Sequence, residues 1–195
     1  MQRVYRIGQP FRIIAHRGGT GAPRPFAALL DRFDMPPPRL AVFVSNLEDG
    51  SVQRVMVALA NALRRRGYAV DVVAPMGGGA LRAELDPNIG QIDLAKRHTA
   101  TSALALARIL AERRPAALVA AGTTANVAAL AAAVLSRQGT PVVIAEDGAA
   151  AGGLVEALQR RLYPRAAAII EGLDDRRLED AVLSLVAQGV DGVQQ

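Results

Sequence analysis

Cysteine is absent from this chain. That excludes a disulfide framework, a thiolate metal site and a cysteine nucleophile. Tryptophan is also absent and aromatic side chains make up only 4% of the residues, so the core has to be aliphatic. There are two histidines, His16 and His98, far apart in sequence, which leaves no ligand set for a metal site. Lysine occurs once, at Lys96, among 23 basic residues. With so much alanine beside the arginine, the composition matches a GC-rich coding sequence. The net charge of +5 is therefore no argument for nucleic acid, and no nucleic-acid partner is expected. No apolar run reaches the roughly 20 residues that a membrane helix needs. The segment Tyr5–Ala15 is interrupted by Gly8, Pro10 and Arg12 and lacks the layout of a signal peptide. A cytoplasmic location is expected. The arginine groups Arg64–Arg66, Arg113–Arg114 and Arg160–Arg161 fall at expected helix ends, where cations complement the helix dipole. The sharper alternative is a peripheral contact with anionic lipid at the inner face of a membrane.

What is present is a repeating strand–helix pattern, and hydrophobic residues at 51% supply a core for it. At 195 residues the chain is long enough to bury roughly 70% of its unfolded surface. Leu40–Val44 is an apolar run of buried-strand length. Asn46–Ser51 is a turn, and the helix after it puts Val52, Val55, Met56, Leu59 and Leu63 on one face. Ser51 is the expected N-cap, and Gly67 stands where a left-handed C-terminal cap belongs. Tyr68–Ala74 returns as a strand. Further strands are expected over Ile89–Leu94, Ala116–Ala120, Thr140–Ala145 and Ala166–Ile170. Further helices are expected over Thr99–Arg114, Thr123–Arg137, Ala151–Tyr163 and Asp174–Ala187. Leu104, Ala107, Ile109 and Leu110 form the expected apolar side of the Thr99–Arg114 helix. Six strands alternating with helices predict a Rossmann-like, doubly wound parallel sheet in three α/β/α layers. Residues 1–38 differ in composition and end in Pro36-Pro37-Pro38, so they are expected to form an N-terminal appendage and linker before a domain over residues 39–195.

In such sheets ligands bind beyond the carboxyl ends of the strands, at the switch point. The segments after the strands carry Asn46, Glu48, Asp49, Gly50 and Ser51, then Thr123, Thr124 and Asn126, then Glu146 and Asp147. This rim is expected to hold carboxylates, hydroxyls and amides and no cation. His98 is expected to be a solvated loop residue. Neither a Gly-x-Gly-x-x-Gly nor a Gly-x-x-x-x-Gly-Lys occurs, and Glu48 and Asp49 beside the first helix would repel a pyrophosphate. A ligand with many hydroxyls, such as a sugar, fits better. No serine has a Gly-x-Ser-x-Gly setting, and no catalytic set assembles. Acidic residues at helix starts also serve simply as dipole partners.

Two resemblances arise. Ile14-Ala-His-Arg-Gly-Gly19 is similar over six residues to the opening of glycerophosphodiester phosphodiesterases. Pro23-Arg-Pro-Phe26 stands where that family's metal-binding glutamate would be, so the similarity is read as coincidence. The second extends from Arg39 to about Leu173. Leu40–Ser45 with Asp49-Gly-Ser-Val-Gln-Arg54, then Leu59–Val73, Gly79–Leu85 and Arg160–Ala166, resemble in order and spacing the N-terminal, acceptor-side domain of family 4 glycosyltransferases, which have the GT-B fold. Ser51 replaces the second glycine of that family's Gly-Gly-x-Glu-Arg loop and Gln53 its glutamate. Ala121-Gly122-Thr123-Thr124 stands where members often carry histidine after the fourth strand, and Ala145-Glu146-Asp147-Gly148 where they carry an Arg-Glu-His-Asn-like run, with Glu146 kept. Glu171 and Glu179 have the family's donor-half spacing outside its context, which is read as chance. The resemblance implies an acceptor-binding half for a sugar or lipid-linked acceptor, with no cofactor of its own. The nucleotide-sugar donor would belong to a separate donor-domain polypeptide. The alternative is a non-catalytic glycan- or protein-binding scaffold derived from a transferase half.

Overall fold

The computed structural model describes residues 36–149 and 152–191, with side chains up to Ala187 except that of Ala100. The appendage expected at residues 1–38, and His16 within it, lies outside the described residues except for Pro36–Pro38. Six strands are described: β1 (Arg39–Phe43), β2 (Ala69–Ala74), β3 (Gly90–Asp93), β4 (Ala117–Ala121), β5 (Val142–Glu146) and β6 (Ala168–Glu171). The helices are α1 (Ser51–Arg65), α2 (Ala103–Arg113), α3 (Thr123–Ser136), α4 (Gly153–Leu162) and α5 (Asp175–Asp191). All strand pairs are parallel, and the sheet order is β3-β2-β1-β4-β5-β6. This is the expected doubly wound arrangement, and each predicted strand is present within one or two residues.

Alternation along the strands divides the core into two layers. Leu40, Val42, Val70, Val72, Val119 and Val143 face α1 and α5, meeting Met56, Leu59, Leu63, Leu178 and Val182. Ala41, Phe43, Val73, Leu118, Ala120 and Ile144 face α2 and α3, meeting Leu106, Leu110, Ala129 and Leu130. Strands apolar on both faces are what a sheet covered on both sides requires. The α1 stripe is as expected, with Met56, Leu59 and Leu63 buried. Gly67 has φ of 91°, as a left-handed cap requires.

Two helix details differ from expectation. Helix α1 is capped by Gly50 rather than Ser51. The Gly50 carbonyl already accepts the first helical bond, from Arg54 N at 2.9 Å, so Ser51 falls inside the helix as an exposed first residue. In the Thr99–Arg114 segment the first turn is a 3-10 turn (Thr99–Ser102), and the α-helix starts at Ala103. Its stripe against α3 is Leu106, Ala107 and Leu110, while Leu104 is 69% exposed. At about 100° per residue within the α-helix, Leu104 falls well round the axis from Leu106, Ala107 and Leu110, so it lands on the outside.

The arginine groups close α1, α2 and α4 at the end of the sheet away from the strand carboxyl ends, as the dipole argument requires. Arg66 also binds Glu179 of α5 at 2.5 Å and ties the two helices of one layer together. At the same end, Arg39 donates from Nη1 to both carboxylate oxygens of Asp71, at 2.8 and 2.9 Å. Asp71 is 4% exposed in the middle of β2, and its neighbour across the β2–β3 ladder is Gly90. A β-carbon at Gly90 would lie 2.1 Å from Asp71 Oδ1, so glycine there makes room for the buried carboxylate.

Gly90→Ala is therefore expected to destabilise the domain by about 1–3 kcal/mol through overpacking. In an Asp71→Ala background the added cost of Gly90→Ala should largely vanish. Urea unfolding of the four proteins of this cycle tests it. Additive losses would show that the contact does not constrain β3.

Candidate functional site

Beyond the carboxyl ends of β1, β2, β4 and β5 lies a cleft of about 850 Å³. It opens at the switch point, where β1 pairs with β2 on one side and β4 on the other. One wall is the β1–α1 turn, contributing Ser45, Asn46, Glu48, Val52 and Gln53. The facing wall is the connection from β3 to α2, contributing Arg97, His98 and Thr99. The floor is the start of α3, Gly122–Ala125, and Asp147 with Ala149, Gly152 and Val155 closes the side toward α4.

Each wall is held by specific contacts. The Asn46 side chain accepts a hydrogen bond from Glu48 N at 3.1 Å, which folds the first turn. Gln53 reaches back over Gly50 and donates to Ser45 Oγ at 3.2 Å. The loop after β2 supports this turn from behind: Leu81 N donates to Leu47 O at 3.0 Å, and Gly79 lies flat against the Leu47 carbonyl. A β-carbon at Gly79 would be 2.2 Å from that carbonyl, and its φ of 134° is a conformation that favours glycine. On the far wall, Lys96 N donates to Pro75 O at 2.8 Å. The His98 carbonyl accepts from Thr101 N at 3.1 Å, Thr101 Oγ1 at 2.9 Å and the buried Ser102 Oγ at 3.1 Å. Asp93 links the two loops. It accepts from Ala95 N at 2.7 Å and from the Gly77 amide, and these bonds hold its carboxyl below the usual carboxylate range.

The residues singled out from sequence divide into two groups. Asn46, Glu48, Thr123, Thr124 and Asp147 line the cleft. Asp49 is turned to a bidentate pair with Arg54, at 2.6 and 2.7 Å, and this pairing lowers its carboxyl's pKa. Gly50 and Ser51 form the start of α1 and are absent from the cleft lining, as is Glu146 at the end of β5. Asn126 is fully buried below the floor. Its Nδ2 donates to Ala145 O at 2.8 Å and to Tyr163 Oη at 3.3 Å, fastening α3 to β5 and to the end of α4. Burial raises the Tyr163 pKa, and Glu146 and Asp147 raise it further, so its hydroxyl stays protonated.

The expectation of a rim without histidine, lysine or arginine does not hold, because Arg97 and His98 line the cleft. They follow β3, an edge strand whose connection is not expected in the rim. The signal was available: in a 3-2-1-4 order the chain leaving β3 has to pass the ends of β2 and β1 to reach β4. Among the described residues no group of His, Asp or Glu could hold a metal ion.

A six-stranded parallel sheet with a polar cleft at the switch point defines a Rossmann-like α/β domain. The sequence model of Glycosyltransferase Family 4 matches residues 52–170, more than half of the chain. The chain belongs to this family and has the fold of a GT-B half. MurG of Acinetobacter baumannii is similar in fold, with a TM-score of 0.50 and 22% identity over 69% of this chain and 41% of that one. The UGT2 of Phytolacca americana, solved with UDP-2-fluoro-glucose and pterostilbene, matches at 16% identity and a TM-score of 0.38 over 56% of this chain and 30% of its own. A UDP-glucosyltransferase of Polygonum tinctorium matches at 19% identity and a TM-score of 0.40, covering 58% of this chain and 30% of that one. The chain thus spans less than half the length of these transferases. No curated protein matches it. Among the described residues no helix is long and apolar enough to cross a membrane.

Two outcomes are expected from these contacts. Asn126→Ala removes one of the two donors to the Ala145 carbonyl, which keeps Gly122 N at 3.1 Å, together with the bond to Tyr163 Oη, and should cost about 0.5–1.5 kcal/mol, lowering Tm by roughly 1–6 °C for a chain of this size. An unchanged Tm would remove Asn126 as the fastening between α3 and β5. Asp93 has a lower pKa folded than unfolded, so the unfolded chain takes up its proton first. Its contribution is complete at neutral pH and is lost as pH falls through and below about 4. Asp93→Ala should accordingly flatten the acid limb of a Tm-against-pH curve; an identical limb would contradict this.

Proposed function

We propose that this chain is the acceptor-side half of a family 4 glycosyltransferase. It holds a sugar or lipid-linked acceptor, and transfer from a nucleotide-sugar requires a separate donor-binding polypeptide. The observation that carries this reading is the open cleft at the switch point. Glu48, Asn46, Thr123, Thr124 and Asp147 give it the acceptors and donors that hydroxyl-rich ligands need, on pinned loops. Apolar side chains stand exposed around the same end of the sheet: Met76 at the cleft edge (56%), Leu104 in the first turn of α2 (69%) and Leu154 in the first turn of α4 (76%). Exposed apolar residues beside a one-sided cleft fit a surface that a second half would cover. In a retaining or inverting GT-B reaction this half would contribute positioning and electrostatic stabilisation of the acceptor.

A second reading is a non-catalytic glycan- or protein-binding scaffold. The run Ala121-Gly122-Thr123-Thr124, without the histidine that family members often carry after the fourth strand, favours it.

The test is to co-purify the chain with candidate donor-half polypeptides and assay the complexes for transfer from labelled nucleotide-sugars. A complex should transfer sugar where neither chain does alone. Asp147→Ala and Glu48→Gln should each lower kcat/KM at least about tenfold, the loss of one charge-assisted hydrogen bond. A stable complex that neither hydrolyses nor transfers any nucleotide-sugar would sink the enzymatic reading and leave the scaffold.

A further inference from the structure

We propose that residues 26–33 of this chain dock as an amphipathic helix on the outer stripe of α3. The contact lies on the face of the sheet opposite α1 and α5 and does not depend on what the cleft binds.

Helix α3 carries no charged residue from Thr123 to Ser136. A helix apolar on every side belongs in an interior. Here it packs between α2 and α4, and Ala125, Ala128, Ala129, Leu130 and Ala132 are buried. Its outer stripe is not. Val127, Ala131, Val134 and Leu135 follow one another at helical spacing, and exposure rises from 8% at Val127 to 42% at Val134 and 51% at Leu135. Leu158 of neighbouring α4 is exposed as well, and no residue of α4 is fully buried. Of the six large apolar side chains exposed among the described residues, five stand on α2, α3 and α4 and none on α1 or α5. Leu104 and Leu154 belong to the cleft end, whereas Val134 and Leu135 stand in the last turn of α3, at the other end.

The chain itself supplies an occupant. Residues 1–35 lie outside the described residues. They include Phe11, Phe26 and Phe33, three of the four phenylalanines in the sequence, and the fourth, Phe43, is already buried in β1. Phe26, Leu29, Leu30 and Phe33 have the i, i+3, i+4, i+7 spacing with which a helix lays one apolar face against another surface.

Connectivity selects the same end of the domain. Strand β1 begins at Arg39, whose carbonyl accepts from Ala116 N at 2.7 Å, two residues past the Arg114 cap of α2. Residues 34–38, three of them proline, span about 15 Å when extended. That passes one helix layer, about 10–12 Å thick. Exposed Arg114 and Arg137 cap α2 and α3 at this end, and the incoming segment carries Asp31 and Asp34. The same linker reaches the α1–α5 layer equally well, but that layer exposes no large apolar side chain among the described residues.

The absence of cysteine makes the test direct, because an introduced pair is the only one in the chain. In the full chain, Ala131→Cys in the middle of the α3 stripe is combined with Leu29→Cys or with Leu30→Cys. Ala58→Cys, exposed on α1, replaces Ala131→Cys in the control pairs. Circular dichroism establishes that each variant is folded. On mild oxidation, at least one pair containing Ala131→Cys should close a disulfide within one chain at least about tenfold faster than its control. Rates equal to the control overturn the proposal. Disulfides that join two chains and fall away on dilution also overturn it, and assign the face to a second copy. A second measurement needs no cysteine. Leu135→Asp and Phe33→Asp should each lower Tm by roughly 2–8 °C, and the double variant should fall no further than the more damaging single one. A Tm unmoved by Phe33→Asp overturns the proposal, because the segment then makes no contact with the fold. Neither measurement reads transfer, so both outcomes are independent of the transferase reading.

Discussion

The reversal of strand order between β1 and β4 is the constraint on which the rest of this domain depends. Winding outward from β1 takes the chain through α1 to β2 and on to β3, and from there it has to return across β1 to begin β4. Helix α1 packs on one face of the sheet, α2 and α3 on the other. No connection can therefore roof the ends of β1 and β4 from directly above, and a cleft is left between the segments that part there. The strands tolerate this opening because they are buried on both faces. Leu40, Val42, Phe43, Val119 and Ile144 are all fully buried, so the cleft interrupts a core already complete below it.

The layers were legible because their signals are local and redundant. Each strand is a short apolar run and α1 is a repeated stripe, so tertiary context had nothing to override. The Leu104 phase was not legible. Apolar residues stand nearly all round this helix, at Leu104, Leu106, Ala107, Ile109 and Leu110, so the pattern alone does not say which stripe meets the core. The Ser51 cap failed for a related reason: Gly50 can take the extended cap conformation as well as serine can, and Gln53 fills the space over it.

The site was half legible. Asn46, Glu48, Thr123, Thr124 and Asp147 come directly from the rule that strand ends carry the ligand. Asn126 obeys the same rule by position, but one helical turn into α3 its side chain points down to Ala145 and Tyr163. Position after a strand selects a level in the fold, whereas helical phase decides between cleft and core. Arg97 and His98 were hidden by the opposite failure. They lie several residues beyond β3, and only the sheet order brings them across to the switch point. Sequence distance from a strand end says little when the connection must cross the sheet.

Charge ties these observations together. Many of the described arginines sit at helix carboxyl ends, at the far end of the sheet from the cleft, where the dipoles welcome them and where Arg66 and Arg39 find carboxylates. At the cleft end the dipoles favour anions instead, and the start of α3 has no capping side chain of its own, only Gly122 with Asp147 Oδ2 3.4 Å from where its β-carbon would be. A cation at this end thus works against the local field. Arg97 and His98 are held there by backbone hydrogen bonds rather than by any ion pair among the described residues. Arg97 is not alone in this, since Arg176 and Arg177 stand in the first turn of α5, where Arg177 pairs with Asp174.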